Sequence, residues 1–304
     1  MNIAVSPHYL IIDWGTTNFR AFSMTENHTL IDSIARPMGL LQVPDGDFAT
    51  ALEHTLSEWL GDYQNLPIYM AGMVGSMKGW VNVPYASTPT SPRALVDGAY
   101  ELSLPWGSKG VIFPGVSHSY ESDKYDVMRG EEVQIFGLSN IKDKGNFSAI
   151  LPGTHSKHAL FEEGELTHFA SFLTGEFFSV LVNHTLLGSG LSLSSECDQE
   201  SFAKGVADSG SGLLTNRVFL GWTHRLFEQL KVEQVGDYLS GMLIGYELRE
   251  CSKEFVYLVG GDTLCARYQL AADYLDIETE IVSGDLTFLS GMIRLIKEVN
   301  SENS

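Results

Sequence analysis

At 304 residues, 44% hydrophobic and 19% charged, the chain can bury a sizeable core and is neither disordered nor fibrous. Its length points to two domains. It carries 38 acidic against 19 basic residues, a formal net charge of −19, which repels nucleic acid and anionic lipid and excludes both as expected partners. Cys197, Cys251 and Cys265 show no C-x-x-C spacing, and the N-terminus has no basic, apolar leader pattern. Reduced thiols in a cytoplasmic protein are expected. The most apolar internal stretches, 242–244 and 255–259, are far too short to span a bilayer.

In chain order, Tyr9 to Asp13 reads as a strand, Phe19 to Met24 as its hairpin partner and Thr29 to Ala35 as a third strand. Asp47 is the expected N-cap of a helix through Leu60, because Phe48, Ala51, Leu52, Leu56 and Trp59 form one apolar face. Pro67 to Gly72 is a short buried strand, 84–92 is a loop by composition, and 110–115 is a strand and turn. A helix is expected over 128–138, with Val133, Phe136 and Gly137 on its packed side. The polar stretch 140–146 marks the boundary between domains 1–140 and 141–304.

The pattern then restarts. A strand at 148–151 runs into Gly153-Thr154-His155-Ser156-Lys157, and 158–162 returns as a strand. Helices follow at 174–187, 198–207, 216–230 and 235–250; Phe219, Trp222, Leu226 and Leu230 form a stripe that reads as core. The strand at 255–259 ends in Gly260-Gly261-Asp262, followed by a helix to Tyr274, a strand at 278–282 and a last helix at 286–299. Two halves that each open strand–glycine–hydroxyl–strand suggest a duplicated α/β unit.

Three turns carry the chemistry. In Asp13-Trp14-Gly15-Thr16-Thr17-Asn18, glycine permits a sharp bend and lets backbone N–H groups approach an anion, and the hydroxyls can donate to phosphate oxygens. Asp13 suits Mg²⁺, which prefers oxygen ligands and keeps much of its hydration. Gly153 and Thr154, with Lys157, form a second such turn, and Gly260-Gly261-Asp262 offers a bare backbone against which a ring or ribose can lie. No G-x-x-x-x-G-K-[ST] loop and no G-x-G-x-x-G after a strand is present.

This ordered set resembles the sugar kinase, Hsp70 and actin superfamily. The finer segments are most similar to the 2-dehydro-3-deoxygalactonokinases: Ile12 to Asn18, Ala71-Gly72-Met73-Val74-Gly75-Ser76, Trp80 to Tyr85, Met128-Arg129-Gly130-Glu131-Glu132 and Leu151 to Lys157. The resemblance implies an α/β, two-domain actin-like ATPase (ribonuclease H-like) fold with an interdomain cleft. It also implies ATP- and Mg²⁺-dependent phosphorylation of the 6-hydroxyl of 2-dehydro-3-deoxy-galactonate, a small-molecule sugar acid. A homodimer is the default assembly.

On that resemblance, Asp13 orients the metal, and Gly15, Thr16, Thr17, Gly153, Thr154 and Lys157 hold phosphates. Gly260, Gly261 and Asp262 meet the adenosine. Glu131 stands where related kinases carry a catalytic Asp and is the expected base, with Glu132 and Asp126 as rivals. Adjacent helical residues point about 100° apart, so at most one of Glu131 and Glu132 reaches substrate. Arg20 offsets phosphate charge or contacts the acceptor. Ser76, Lys78, Trp80 and Asn82 are the acceptor candidates, with Trp80 equally readable as a packed aromatic. Lys78, Arg93 and Lys157 are the cations offered to the acceptor's carboxylate. His155, His158 and His168 lack metal-binding spacing and read as structural or phosphate contacts. Gly241 and Gly245 are expected to allow close helix packing or to line the adenine pocket. The alternatives are a kinase for a related sugar acid or polyol, and a non-catalytic nucleotide-dependent sugar-binding protein on the same fold.

Overall fold

The computed structural model describes residues 6–191, 197–251 and 254–301. The chain divides into two compact units, one of residues 1–146, 161–169 and 285–304, the other of 147–160 and 170–284. The first division falls between Asn146 and Phe147, six residues beyond the expected boundary at 140. Segments 161–169 and 285–304, which the sequence alone groups with the second half, belong to the first unit.

The first unit opens with strands β1 (Tyr9–Trp14), β2 (Phe19–Met24) and β3 (Leu30–Arg36), then helix α1 (Phe48–Trp59) and strand β4 (Ile68–Ala71). Asp47 caps α1 by accepting from the Thr50 N–H. Next come β5 (Ala86–Ser87), α2 (Pro92–Asp97), β6 (Tyr100–Ser103), β7 (Lys109–Ile112), β8 (Val116–Glu121), β9 (Lys124–Met128) and α3 (Glu131–Lys142). The main sheet runs β3-β2-β1-β4-β7-β6. Pairing is antiparallel across β3-β2-β1 and parallel from β1 to β4 to β7. Leu10, Ile12, Trp14, Phe19, Leu52, Leu56, Met70 and Ile112 share one core cluster. β1 is apolar because both its faces are covered. β5, β8 and β9 form a separate three-stranded sheet that the sequence pattern did not reveal.

The later strands are β10 (Phe147–Leu151), β11 (Ser156–Glu162) and β12 (Glu165–Phe172). Helices α4 (Thr174–His184), α5 (Gln199–Asp208), α6 (Leu214–Arg217), α7 (Leu220–Leu226) and α8 (Val235–Leu248) follow. The chain closes with β13 (Val256–Gly260), α9 (Asp262–Tyr274), β14 (Thr279–Ser283) and α10 (Gly284–Ser301). The second sheet runs β12-β11-β10-β13-β14, with β13 parallel to both β10 and β14. This is the order of the first five strands of the main sheet in the first unit, so one plan is used twice.

Glycines set two helix crossings. A Cβ on Gly137 of α3 would lie 1.8 Å from the Thr287 carbonyl oxygen of α10, and one on Gly291 would lie 1.9 Å from that of Val133. In the second unit, Gly205 of α5 and Gly241 of α8 meet the Tyr238 and Phe202 carbonyls in the same reciprocal way, each with 2.0 Å for a Cβ. Gly241 and Gly245 thus face α5. One expectation fails: the helix expected over 216–230 is broken into α6 and α7. Phe219 and Leu226 are 51% and 59% exposed, and only Leu230 of the outer stripe is buried. Glu228, at φ 57°, terminates the helical path there.

Candidate active site

The first turn joins β1 to β2. It closes through the Gly15 N–H donating to the Asn18 carbonyl at 2.8 Å, and the Gly39 N–H donates to the Thr17 carbonyl at 3.1 Å. Trp14 pins the supporting loop by donating from Nε1 to the Met38 carbonyl. Thr16, Thr17 and Asn18 are left exposed at the tip. Asp13, Gly15, Thr17, Asn18 and Arg20 line one open cavity with Ala35, Arg36 and Pro37. Arg20 donates from Nε to Asp13 Oδ2 at 3.0 Å and also pairs with Asp285. Its guanidinium is thus held between two carboxylates. Burial pushes the Asp13 carboxyl up, while the Arg20 guanidinium pulls it down.

The carboxyl ends of β1 and β4 lie together, because the two strands pair in parallel with Asp13 opposite Ala71. Gly72 follows at φ 94°, a conformation suited to glycine, and a Cβ there would sit 3.2 Å from Asp13 Oδ1 and 2.9 Å from the Trp14 carbonyl oxygen. Gly130, at φ 114°, starts α3, and its Cβ direction points at Gly72 Cα, 3.5 Å away. Asp13 and the head of α3 are therefore brought together through two glycines.

At that head the two glutamates part company. Glu132 is fully buried, and both its carboxylate oxygens accept from the Gly130 N–H, at 2.9 and 2.7 Å. Burial first, and the Glu131 charge second, push its carboxyl up to about 8. Glu131 is partly exposed, with Oε2 accepting from the Arg129 N–H at 3.1 Å. Asp126 is engaged on β9, accepting from the Tyr120 hydroxyl at 2.8 Å and from the Val127 N–H at 2.7 Å.

The acceptor candidates sit on the loop after β4. Ser76 is buried, Lys78 and Asn82 are exposed, and Trp80 packs against the core with its ring stacked at 6.3 Å on Phe48. Arg93 pairs with Asp97 one helical turn on.

The second unit builds its site around the turn after β10. Gly153 lines a cavity of about 220 Å³ with Thr174, Gly175 and Phe178 of α4, Gly236, Asp237 and Ser240 of α8, and Leu264, Arg267 and Tyr268 of α9. A Cβ on Gly175 would lie 2.4 Å from the Gly153 carbonyl oxygen, and the Glu176 N–H donates to the Thr154 carbonyl at 2.9 Å. The head of α4 therefore rests directly on the turn. Gly260 stands beside Pro152, with 3.8 Å between its Cβ direction and the Pro152 carbonyl oxygen. Gly261 caps α9 and Asp262 opens it, both exposed. Lys157 is buried, donating to the His155 carbonyl at 3.2 Å.

Glu247 fastens these parts. It is buried and accepts from the hydroxyls of Ser156 at 2.7 Å and Tyr268 at 2.8 Å, from His158 Nε2 at 2.7 Å, and from Thr174. Asp237 accepts from Arg267 Nη1 at 2.7 Å and so fixes the guanidinium that lines the cavity. The histidines behave as structural groups: His155 meets Glu176 at 2.5 Å, and His168 packs its ring on His118 at 4.2 Å. Among the described residues, no group of three or more His, Cys, Asp or Glu side chains is placed to hold a metal.

The family model for 2-keto-3-deoxy-galactonokinase matches residues 13–295. The chain belongs to this family. It is an enzyme, a nucleotide-using sugar kinase that transfers phosphate to an alcohol group, and its fold is the α/β actin-like ATPase fold. A 2-dehydro-3-deoxygalactonokinase from Escherichia coli (strain K12) is 31% identical over 294 residues, covering 95% of this chain and 97% of that one. A probable 2-dehydro-3-deoxygalactonokinase from Rhizobium meliloti (strain 1021) is 28% identical over 300 residues, covering 94% and 95%. The crystal structure of a candidate member from Sinorhizobium meliloti superposes with a TM-score of 0.87 at 26% identity, covering 96% of each chain.

Sequence reasoning missed several residues that line or shape these sites: Gly72, Thr174, Gly175, Asp237, Ser240, Arg267, Tyr268 and Glu247. Gly72 stood inside a motif already singled out. The others lie on helices whose sequence carries no local mark of a site, because their proximity exists only after folding.

Proposed function

We propose that the chain transfers the γ-phosphoryl group of Mg²⁺–ATP to the 6-hydroxyl of 2-dehydro-3-deoxy-D-galactonate. Membership of the kinase family over residues 13–295 carries this reading. The relative from Escherichia coli supports the substrate by name. The three free thiols suit a reducing compartment, and the cytoplasm is the proposed location. Among the described residues no helix is long and apolar enough to cross a membrane.

Phosphoryl transfer needs mainly positioning and charge stabilisation. Glu131 is the proposed base, since Glu132 is sealed from solvent and Asp126 is held on β9. It would take the proton from the acceptor hydroxyl as the bond to phosphorus forms. The exposed hydroxyls of Thr16 and Thr17 are proposed to donate to phosphate oxygens. Asp13 fits Mg²⁺: Arg20 engages Oδ2, which leaves Oδ1 as a hard donor, and Mg²⁺ commonly takes one or two carboxylates plus phosphates and water. The metal would neutralise phosphate charge. In the second unit, the cavity bounded by α4, α8 and α9 is proposed for the nucleoside, with Gly153 and Thr154 at its phosphate end.

The test is ADP release over a panel of 2-keto-3-deoxy sugar acids, aldonic acids and polyols. Turnover dependent on the galactonate-derived acid supports the reading. Faster turnover with another sugar acid or a polyol replaces the acceptor, and binding without turnover replaces the enzyme with a binding protein.

A further inference from the structure

Arg129 is the last residue before the Gly130 turn, and its side chain runs back beneath the loop that follows β4. It is 7% exposed. Nη2 donates to the Val83 carbonyl at 2.8 Å, while Nε and Nη1 are buried with no partner among the described residues. Guanidinium does not lose its proton in proteins, so the charge cannot be relieved by titration. Buried charged donors without acceptors are costly, and a stable fold normally satisfies them. The neighbouring acids do not hydrogen-bond these two nitrogens: Glu132, which feels the Arg129 charge, caps the Gly130 N–H, and Glu131 Oε2 accepts from the Arg129 backbone N–H.

A second orphan lies on the same loop. Ser76 is also 7% exposed, and its hydroxyl has no partner. It follows Gly75, where a Cβ would come within 2.9 Å of Arg129 Nη1. The Val83 N–H donates to the Gly75 carbonyl at 3.0 Å, so the loop closes around the guanidinium. A buried hydroxyl one residue from Gly75 and a buried guanidinium against Gly75, each short of hydrogen-bond partners, offer an anion receptor.

The receptor is covered. The Tyr85 ring lies over the guanidinium at 4.3 Å, with one edge close to Gly115, and is 40% exposed.

We infer that Arg129, with Ser76, is the specificity site that receives the carboxylate of the sugar-acid acceptor once the Tyr85 ring gives way. This rests on the proposed acid acceptor and names what reads its charge. A planar carboxylate suits a guanidinium with unpaired N–H groups, and the exposed Lys78 is not required for it.

The test compares wild type, Arg129→Gln and Arg129→Lys on 2-dehydro-3-deoxy-galactonate and on its neutral primary amide. The expected result is a fall of about 100-fold or more in kcat/KM for the acid in Arg129→Gln. The amide should change less than about threefold, and the KM for ATP should hold. Arg129→Lys should recover part of the acid preference. Equal losses for acid and amide, or an intact acid preference in Arg129→Gln, overturn the inference. If Arg129→Gln does not fold, calorimetric binding of pyruvate, a bare 2-oxo acid, to wild type and to Tyr85→Ala decides. Removing the cover should tighten pyruvate binding, and unchanged or weaker binding overturns the inference. Wild type that turns over no sugar acid defeats the proposed function instead, a result that the pyruvate titration keeps separate.

Discussion

The two units share one strand order and treat a buried carboxylate in opposite ways. Glu132 in the first unit is met by backbone N–H groups and the Arg129 charge, yet burial first and the Glu131 charge second push its carboxyl up to about 8. Glu247 in the second is met by four side chains, Ser156, His158, Thr174 and Tyr268, from three elements, β11, α4 and α9. The first arrangement leaves a buried, raised carboxyl next to a partly exposed glutamate and an arginine with two nitrogens that lack hydrogen-bond partners. The second locks a cavity wall. On the proposed function the duplicated plan divides labour: the first unit would hold the acceptor and the chemistry, and the second would spend its polar groups on rigidity around the cavity proposed for the nucleoside.

The largest effect that would break this division lies at Glu131. Glu131→Gln should lower kcat by about 10²- to 10⁴-fold, the range of a lost general base, with both KM values within a few-fold. Steady-state kinetics checks this, and full turnover would move the chemistry away from α3. Next come the paired glycines. Gly72→Ala places a side chain at φ 94° against Asp13 and should cut kcat by roughly 10-fold or more. Gly175→Ala pushes on the Gly153 carbonyl and should chiefly raise the KM for ATP. A reversal of that pattern would contradict the assignment of units.

A smaller effect is expected at Asp237. Asp237→Asn weakens the hold on Arg267 and should raise the KM for ATP several-fold, roughly 1 kcal/mol, leaving the acceptor KM unchanged in the same kinetics. The smallest concerns Glu132. Its folded-state value, about 8, lies above the ordinary 4.5, so its contribution to stability is complete below about pH 4.5 and is lost as pH rises through about 8. Glu132→Gln should leave the melting temperature nearly unchanged at pH 5 and raise it by a few degrees at pH 8.5. An equal shift at both values would show that Glu132 is not protonated in the fold.

Much of the scaffold was legible because local chemistry dictates it. The β1–β2 hairpin announces itself by an apolar run broken at Gly15, and α1 by the Asp47 cap ahead of an apolar face. The small sheet of β5, β8 and β9 was silent, since β8 and β9 are mostly exposed along Ser117 to Val127 and offer no apolar alternation. The stripe at 216–230 misled, because periodic apolar residues do not ensure burial: Phe219 and Leu226 face solvent. For the candidate site, the glycine–hydroxyl turns stood out by motif and spacing, whereas Glu131 was singled out only through the family resemblance. Arg129 stood in plain view beside them, but what marks it is two nitrogens without acceptors, a property of the folded neighbourhood and not of the sequence.

The central claim is that the first unit's carboxylate helps pass a phosphoryl group to the terminal hydroxyl of the sugar acid. Phosphorus NMR of the wild-type reaction with Mg²⁺–ATP and 2-dehydro-3-deoxy-galactonate tests it most directly. The account predicts one new phosphomonoester resonance, coupled to the two C6 protons and growing in step with ADP. Inorganic phosphate as the sole new signal, or an unchanged ATP spectrum, would contradict it.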